Sequence, residues 1–180
     1  MLSRDGEPSV PGHSDSEMPE TFEAFFDRVL PRALGVGRRI LGSLPDAEDV
    51  AVEALARAYV SWDELRTAPH RDAWALRVAA NVAYDQLRKR SRSRRETPVR
   101  ASTEAATDQV ELRLLLAPAL RKLSRRQREA VILSHMVGLS HEEIASVLGC
   151  SVGSVKVHVK RGMDRLRSDV RSQVADAEER

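Results

Sequence analysis

The sequence predicts an all-α protein made of two small helical domains joined by a flexible linker. Three observations carry this. Apolar residues recur at helical spacing along most of the chain, and no segment alternates apolar and polar residues as a half-buried strand does. The stretch from Ser91 to Asp108 is rich in Arg, Ser, Thr, Ala and Pro and lacks an apolar stripe, so it reads as a linker. A length of 180 residues accommodates two helical units of about 60–90 residues, each marginal by itself.

Residues 1–18 hold Gly6, Pro8, Pro11, Gly12 and many Ser, Asp and Glu without periodicity, which predicts a disordered tail. The first domain is expected over residues 19–90. Thr21 is placed to cap a first helix in which Phe22, Phe26, Val29 and Ala33 recur, ending near Gly42. Pro31 lies inside this run and is expected to kink or restart it. Pro45, Asp46, Ala47, Glu48 and Asp49 open a second helix, with carboxylates at the positive end of its dipole. Val50, Ala54, Leu55 and Ala58 form its apolar stripe, ending in Tyr59 and Trp62. Asp63 to His70 reads as a polar loop. A third helix is expected from Arg71 to Arg90, with Trp74, Val78, Val82 and Leu87 on its buried side. The second domain, residues 109–170, reads as four helices starting near Val110, Arg125, His141 and Val152, with residues 171–180 as a tail.

The net charge is only +2, but its distribution is uneven: the first thirty residues are acidic on balance and Arg88 to Arg100 is strongly basic. That asymmetry suggests a polyanion partner at one place and a different surface elsewhere. Arginine greatly outnumbers lysine, which suits phosphate recognition, although coding bias in a GC-rich genome produces the same excess. A single cysteine, Cys150, excludes an internal disulfide framework and a thiolate metal cluster and fits a reducing cytosol. No apolar run approaches the roughly 20 residues of a membrane span, and the polar, acidic N-terminus is unlike a secretory leader. No metal or cofactor is expected. Phosphate-cradling glycine loops, zinc-binding helix pairs and nucleophile elbows are absent from the sequence. Gly35, Val36 and Gly37 sit in a helical pattern without a preceding strand.

The most specific local pattern runs from Ser140 to Leu166. Ser140, with Glu143 three residues later, forms a capping box. Ile144, Ala145 and Leu148 share one face, and Gly149 is suited to a left-handed helix end. Ser151 then caps another helix, whose inward face is Val152, Val155, Val159 and Leu166. Two short helices joined by a tight glycine turn make a helix-turn-helix, and small Ala145 lets them approach closely. Ser154, Lys156, Lys160 and Arg161 form the outward face, suited to base edges and phosphates in a major groove. Arg125, Arg126 and Arg128 begin an upstream helix, where cations and free N–H groups favour phosphates. The bland alternative is a helical hairpin with a solvated basic face.

The segments Leu123–Glu129, Gly138–Ala145, Leu148–Lys156 and Arg165–Arg167 resemble region four of bacterial RNA polymerase sigma factors, although LuxR-type regulators carry a related pattern. Asp46–Val50 with Glu53 and Arg57 resembles the helix of sigma region two that docks on the clamp helices of the polymerase β′ subunit. Ala73–Leu76, Val78, Ala79, Asn81, Asp85 and Leu87–Arg90 resemble the following helix, which engages the −10 element. Two such regions on a short chain with a plain linker are similar to the extracytoplasmic-function group.

The resemblance implies a cytoplasmic, non-enzymatic adaptor that binds core polymerase (β′ clamp helices and β flap), promoter DNA and an anti-sigma factor, without membrane insertion. It assigns polymerase docking to Asp46, Glu48, Asp49, Glu53 and Arg57. It assigns the −10 element to Arg66, His70, Arg71, Arg77, Asn81, Arg88, Lys89 and Arg90. The −35 element falls to Arg125, Arg126, Arg128, Ser151, Ser154, Lys156, Val157, His158, Lys160 and Arg161. Three places depart from the family pattern: Val52 where glutamine is usual, Leu55 where an aromatic is usual, and Val157-His158 where serine and arginine are frequent. The competing reading is a dimeric helix-turn-helix regulator that acts without polymerase on half-sites about one helical turn apart.

Overall fold

A computed structural model describes residues 20–96 and 116–178, all in helices, turns or connecting segments, with no strand among them. The tail expected before residue 19 and most of the expected linker lie outside the described residues.

Helix α1 (Phe22–Leu41) starts as expected: the Thr21 hydroxyl accepts the Ala24 N–H at 3.3 Å, and Gly42 ends the helix at φ 82°. Pro31 neither ends nor restarts it. Pro31 and Asp27 are both exposed, so the Asp27 carbonyl that loses its partner faces water. Phe25, Val29, Ala33, Val36 and Ile40 are buried. Helix α2 (Leu44–Val60) buries Val50, Ala54, Leu55 and Ala58 as expected, but Tyr59 remains 66% exposed. The expected polar loop contains a short helix, α3 (Trp62–Leu65), whose Leu65 is buried. Trp62 packs against Phe22 and Phe25, with ring centroids 5.3 and 5.0 Å apart.

Helix α4 (Arg71–Glu96) runs past the expected end at Arg90 into the first residues of the expected linker. Its deepest face is not the large residues the period suggested. Ala73, Ala75, Leu76, Ala79, Ala80 and Ala83 are buried, whereas Trp74, Val78, Val82 and Leu87 are only partly so. Alanines fill this face because α1, α2 and α4 pack on one another closely, leaving little room for longer side chains.

In the second unit residues 116–121 are helical, followed by α5 (Arg125–Val131), a π-helical segment (Ile132–Val137), α6 (His141–Leu148) and α7 (Val152–Glu178). The π-helical segment was not foreseen, and α7 extends through most of the expected C-terminal tail. Helix α7 packs on α5 and α6. The crossing with α5 is close: a Cβ at Gly162 would lie 2.6 Å from Val131 Cγ2. The two units touch through α1, α4, the π-helical segment and α6.

Candidate nucleic-acid and polymerase interface

The helix-turn-helix forms as its local chemistry dictates. The Ser140 hydroxyl accepts the Glu143 N–H at 3.2 Å, and the Ser140 N–H donates back to Glu143 Oε2 at 2.8 Å. Gly149 turns the chain at φ 62°. The Ser151 hydroxyl accepts the Ser154 N–H at 3.1 Å and lies 2.9 Å from the Ser154 hydroxyl. Ile144, Ala145, Leu148, Val155 and Leu166 are buried, and Cys150 packs against this core. Lys156, Val157, Lys160 and Arg161 form an exposed outward stripe, while Ser154 and His158 are half-buried. Upstream, Ser124 and Gln127 make a second capping box, a signal already present in the sequence.

The three upstream arginines are engaged within the chain. Arg125 pairs with Glu129 at 3.3 Å, and Arg126 donates to the Leu148 carbonyl at 2.8 Å. The Arg128 guanidinium lies 4.7 Å from the centre of the Tyr84 ring, a cation–π contact between the two units. Burial pushes the Tyr84 phenol above its ordinary pKa.

The residues assigned to the −10 element divide into separate groups. Arg66 and His70 are exposed beside the start of α4, and His70 takes a left-handed φ of 57°, which is costly for a non-glycine residue. Arg71 donates to Glu20 at 2.7 Å. Arg77 points into the second unit: it donates to the Val147 carbonyl at 2.7 Å and lies 3.6 Å from Glu129. Arg88 lies 3.6 Å from Asp85, Lys89 is exposed, and Arg90 pairs with Asp46.

The acidic helix start divides likewise. Asp46 is braced across to α4, and the Arg90 hydrogen bond, with a further one from Ser43, holds its carboxyl below the usual carboxylate range. Glu48, Asp49, Glu53 and Arg57 are exposed, with Glu53 and Arg57 paired at 2.8 Å. These four line one open groove with Asn81 and Lys89 of α4, so residues expected to serve polymerase and DNA share a surface. Leu44, Val52, Tyr59 and Val60 add an exposed apolar component to α2; the sequence reading marked Val52 as a departure and Tyr59 as the end of the apolar stripe, and passed over Leu44 and Val60. Among the described residues no cluster of three His, Cys, Asp or Glu is arranged to hold a metal, and no helix is long and apolar enough to cross a membrane.

A four-helix unit with a mixed acidic and apolar helix face, packed on a unit carrying a cationic helix-turn-helix, has the make-up of a DNA-binding adaptor. The comparisons agree. Residues 25–93 match sigma-70 region 2 and residues 113–166 match sigma-70 region 4. The chain is 34% identical over 160 residues to the RNA polymerase sigma-E factor of Streptomyces avermitilis, covering 87% of this chain and 88% of that protein. It is 32% identical to the ECF RNA polymerase sigma factor SigW of Bacillus subtilis, covering 74% and 80% of the two chains. A similar solved structure is the sigma factor RpoE of Bartonella quintana in complex with the anti-sigma factor NepR. Its TM-score is 0.52 and its identity 26%, over 83% of this chain and 96% of that one. Another is CnrH in complex with the cytosolic domain of CnrY, with a TM-score of 0.54 and 25% identity over 87% and 88%. The chain belongs to the sigma-70 family of RNA polymerase sigma factors, in its extracytoplasmic-function group. Its function is to direct promoter-specific transcription initiation by core RNA polymerase. Proteins of this family are regulatory factors rather than catalysts.

Proposed function

We propose a division of labour among the residues of this sigma factor. Residues 19–90 and 109–170 act as its two working units. The exposed Glu48, Asp49, Glu53 and Arg57 of α2 dock on the β′ clamp helices, while Asp46 braces the helix they stand on. Arg66, His70, Asn81 and Lys89 hold the opened −10 strand, which cationic grooves and base pockets retain. Lys156, Val157, Lys160 and Arg161 enter the major groove of the −35 element, with the β flap holding the second unit over it. The factor acts in the cytoplasm, and an anti-sigma factor holds it inactive, as NepR partners the Bartonella quintana protein.

The observation that carries this reading is the exposed stripe of α7. Three cations project from the second helix of a helix-turn-helix and make no ion pair with the Asp and Glu side chains of the described residues. The experiment combines the purified chain with core polymerase and a promoter library and sequences the run-off transcripts. Start sites sharing two spaced upstream elements are expected. Lys156→Ala or Arg161→Ala is expected to reduce those transcripts by about tenfold, within the roughly 1–3 kcal/mol of one base contact. If the chain shifts duplex DNA alone and neither binds core nor directs starts, a polymerase-independent regulator replaces this reading.

A further inference from the structure

Five large apolar side chains among the described residues are strongly exposed. Four belong to α2; the fifth, Val157, stands alone in the second unit, 44% exposed on α7. Its neighbours on that face, Lys156, Lys160 and Arg161, are exposed cations. The helix already has a complete inward side in Val155, Gly162 and Leu166, so the fold places no demand on Val157.

One turn earlier on the same face lies Gly153, since residues four apart align along a helix. Glycine weakens a helix, and nothing in the protein requires one here. A Cβ at Gly153 would meet only the Ser151 hydroxyl, at 3.8 Å, an ordinary contact. The DNA-facing stripe therefore holds a notch without a side chain, followed by one apolar side chain, with cations around both.

We infer that Gly153 and Val157 form a seat for the C5-methyl group of a thymine in the −35 element. This rests on the sigma-factor reading above and names the base that its recognition helix selects. Thymine alone presents an apolar group in the major groove; the other base edges present donors and acceptors. An isopropyl group cannot hydrogen-bond to those edges, and covering them with it forfeits their hydration. The flanking lysines and arginine add phosphate affinity without sequence information.

The test uses the full chain with core polymerase. Promoters enriched from a randomised library are remade with deoxyuridine replacing each thymine of the upstream element in turn, which removes only the methyl group. At one position initiation is expected to fall about three- to fivefold, the scale of one buried methyl. Val157→Ala is expected to lose the same factor on the thymine template and to be indifferent to uracil at that position. Gly153→Ala is expected to lower initiation on thymine templates while leaving the melting temperature unchanged or raised. An upstream element without thymine, or an equal uracil penalty in the wild type and Val157→Ala, overturns the seat and leaves the sigma-factor reading standing. Absence of any directed start overturns that reading and the seat with it.

Discussion

Gly37 shows how much depends on one missing side chain. Helix α1 crosses α2 so closely there that an added Cβ would sit 2.7 Å from Ala47 Cα and 3.0 Å from its Cβ. Neither atom is the end of a flexible side chain, so the backbones themselves would have to separate. Gly37→Ala gains roughly 1 kcal/mol of helix propensity but overpacks the crossing, which costs about 1–3 kcal/mol. Overpacking prevails because backbone cannot step aside, and calorimetry is expected to record a lower melting temperature. Gly35, with nothing within 4 Å of its added Cβ, is the control: Gly35→Ala is expected to raise it.

At the scale of elements, the Asp46–Arg90 pair joins the start of α2 to α4. Its contribution depends on pH with a definite sign. The folded-state pKa of Asp46 is lowered, so the pair favours the folded state above the ordinary carboxylate pKa of about 4 and loses that advantage as pH falls below it. Asp46→Asn is therefore expected to destabilise the protein more at pH 7 than at pH 3, measured by urea unfolding. Equal deficits at both pH values would mean that the carboxylate charge contributes nothing. The same logic applies to Glu20, held below its usual range by Arg28, and to Asp169, held below by Lys122.

For the whole molecule, the contacts between the two units use the residues expected to reach DNA. The Arg77 guanidinium turns into the second unit, donating to the Val147 carbonyl and lying 3.6 Å from Glu129, and Arg128 lies against Tyr84. Arg39 adds a third tie by donating to the Met136 carbonyl at 2.7 Å. Glu129, only 6% exposed, sits between Arg77 and Arg125. Glu129→Ala leaves both guanidinium groups without this carboxylate, at a cost of about 1–3 kcal/mol. Small-angle scattering is expected to show a larger radius of gyration with an unchanged helical circular dichroism signal. A loss of helicity instead would place the role of Glu129 inside the second unit.

Local chemistry made much of this protein legible in its sequence. The capping box at Ser140, the turn at Gly149, the starts of α5, α6 and α7 and the buried stripe of α2 follow from side-chain periodicity and backbone rules acting within a few residues. The order of the two motif sets was enough to identify the family. What the sequence left open depends on contacts between distant segments. The alanine face of α4 and the docked π-helical segment arise where helices from different parts of the chain meet, and α1 continues through Pro31 because the packing of the helix leaves that side to water. The same holds for charge. Sequence marks Asp46, Arg77 and Arg128 as ionisable and suited to partners, but only the tertiary structure decides that their nearest partners are Arg90, the Val147 carbonyl with Glu129, and Tyr84. A charge pairs with whatever lies within a few ångströms, and that distance is set by the packing of the whole chain.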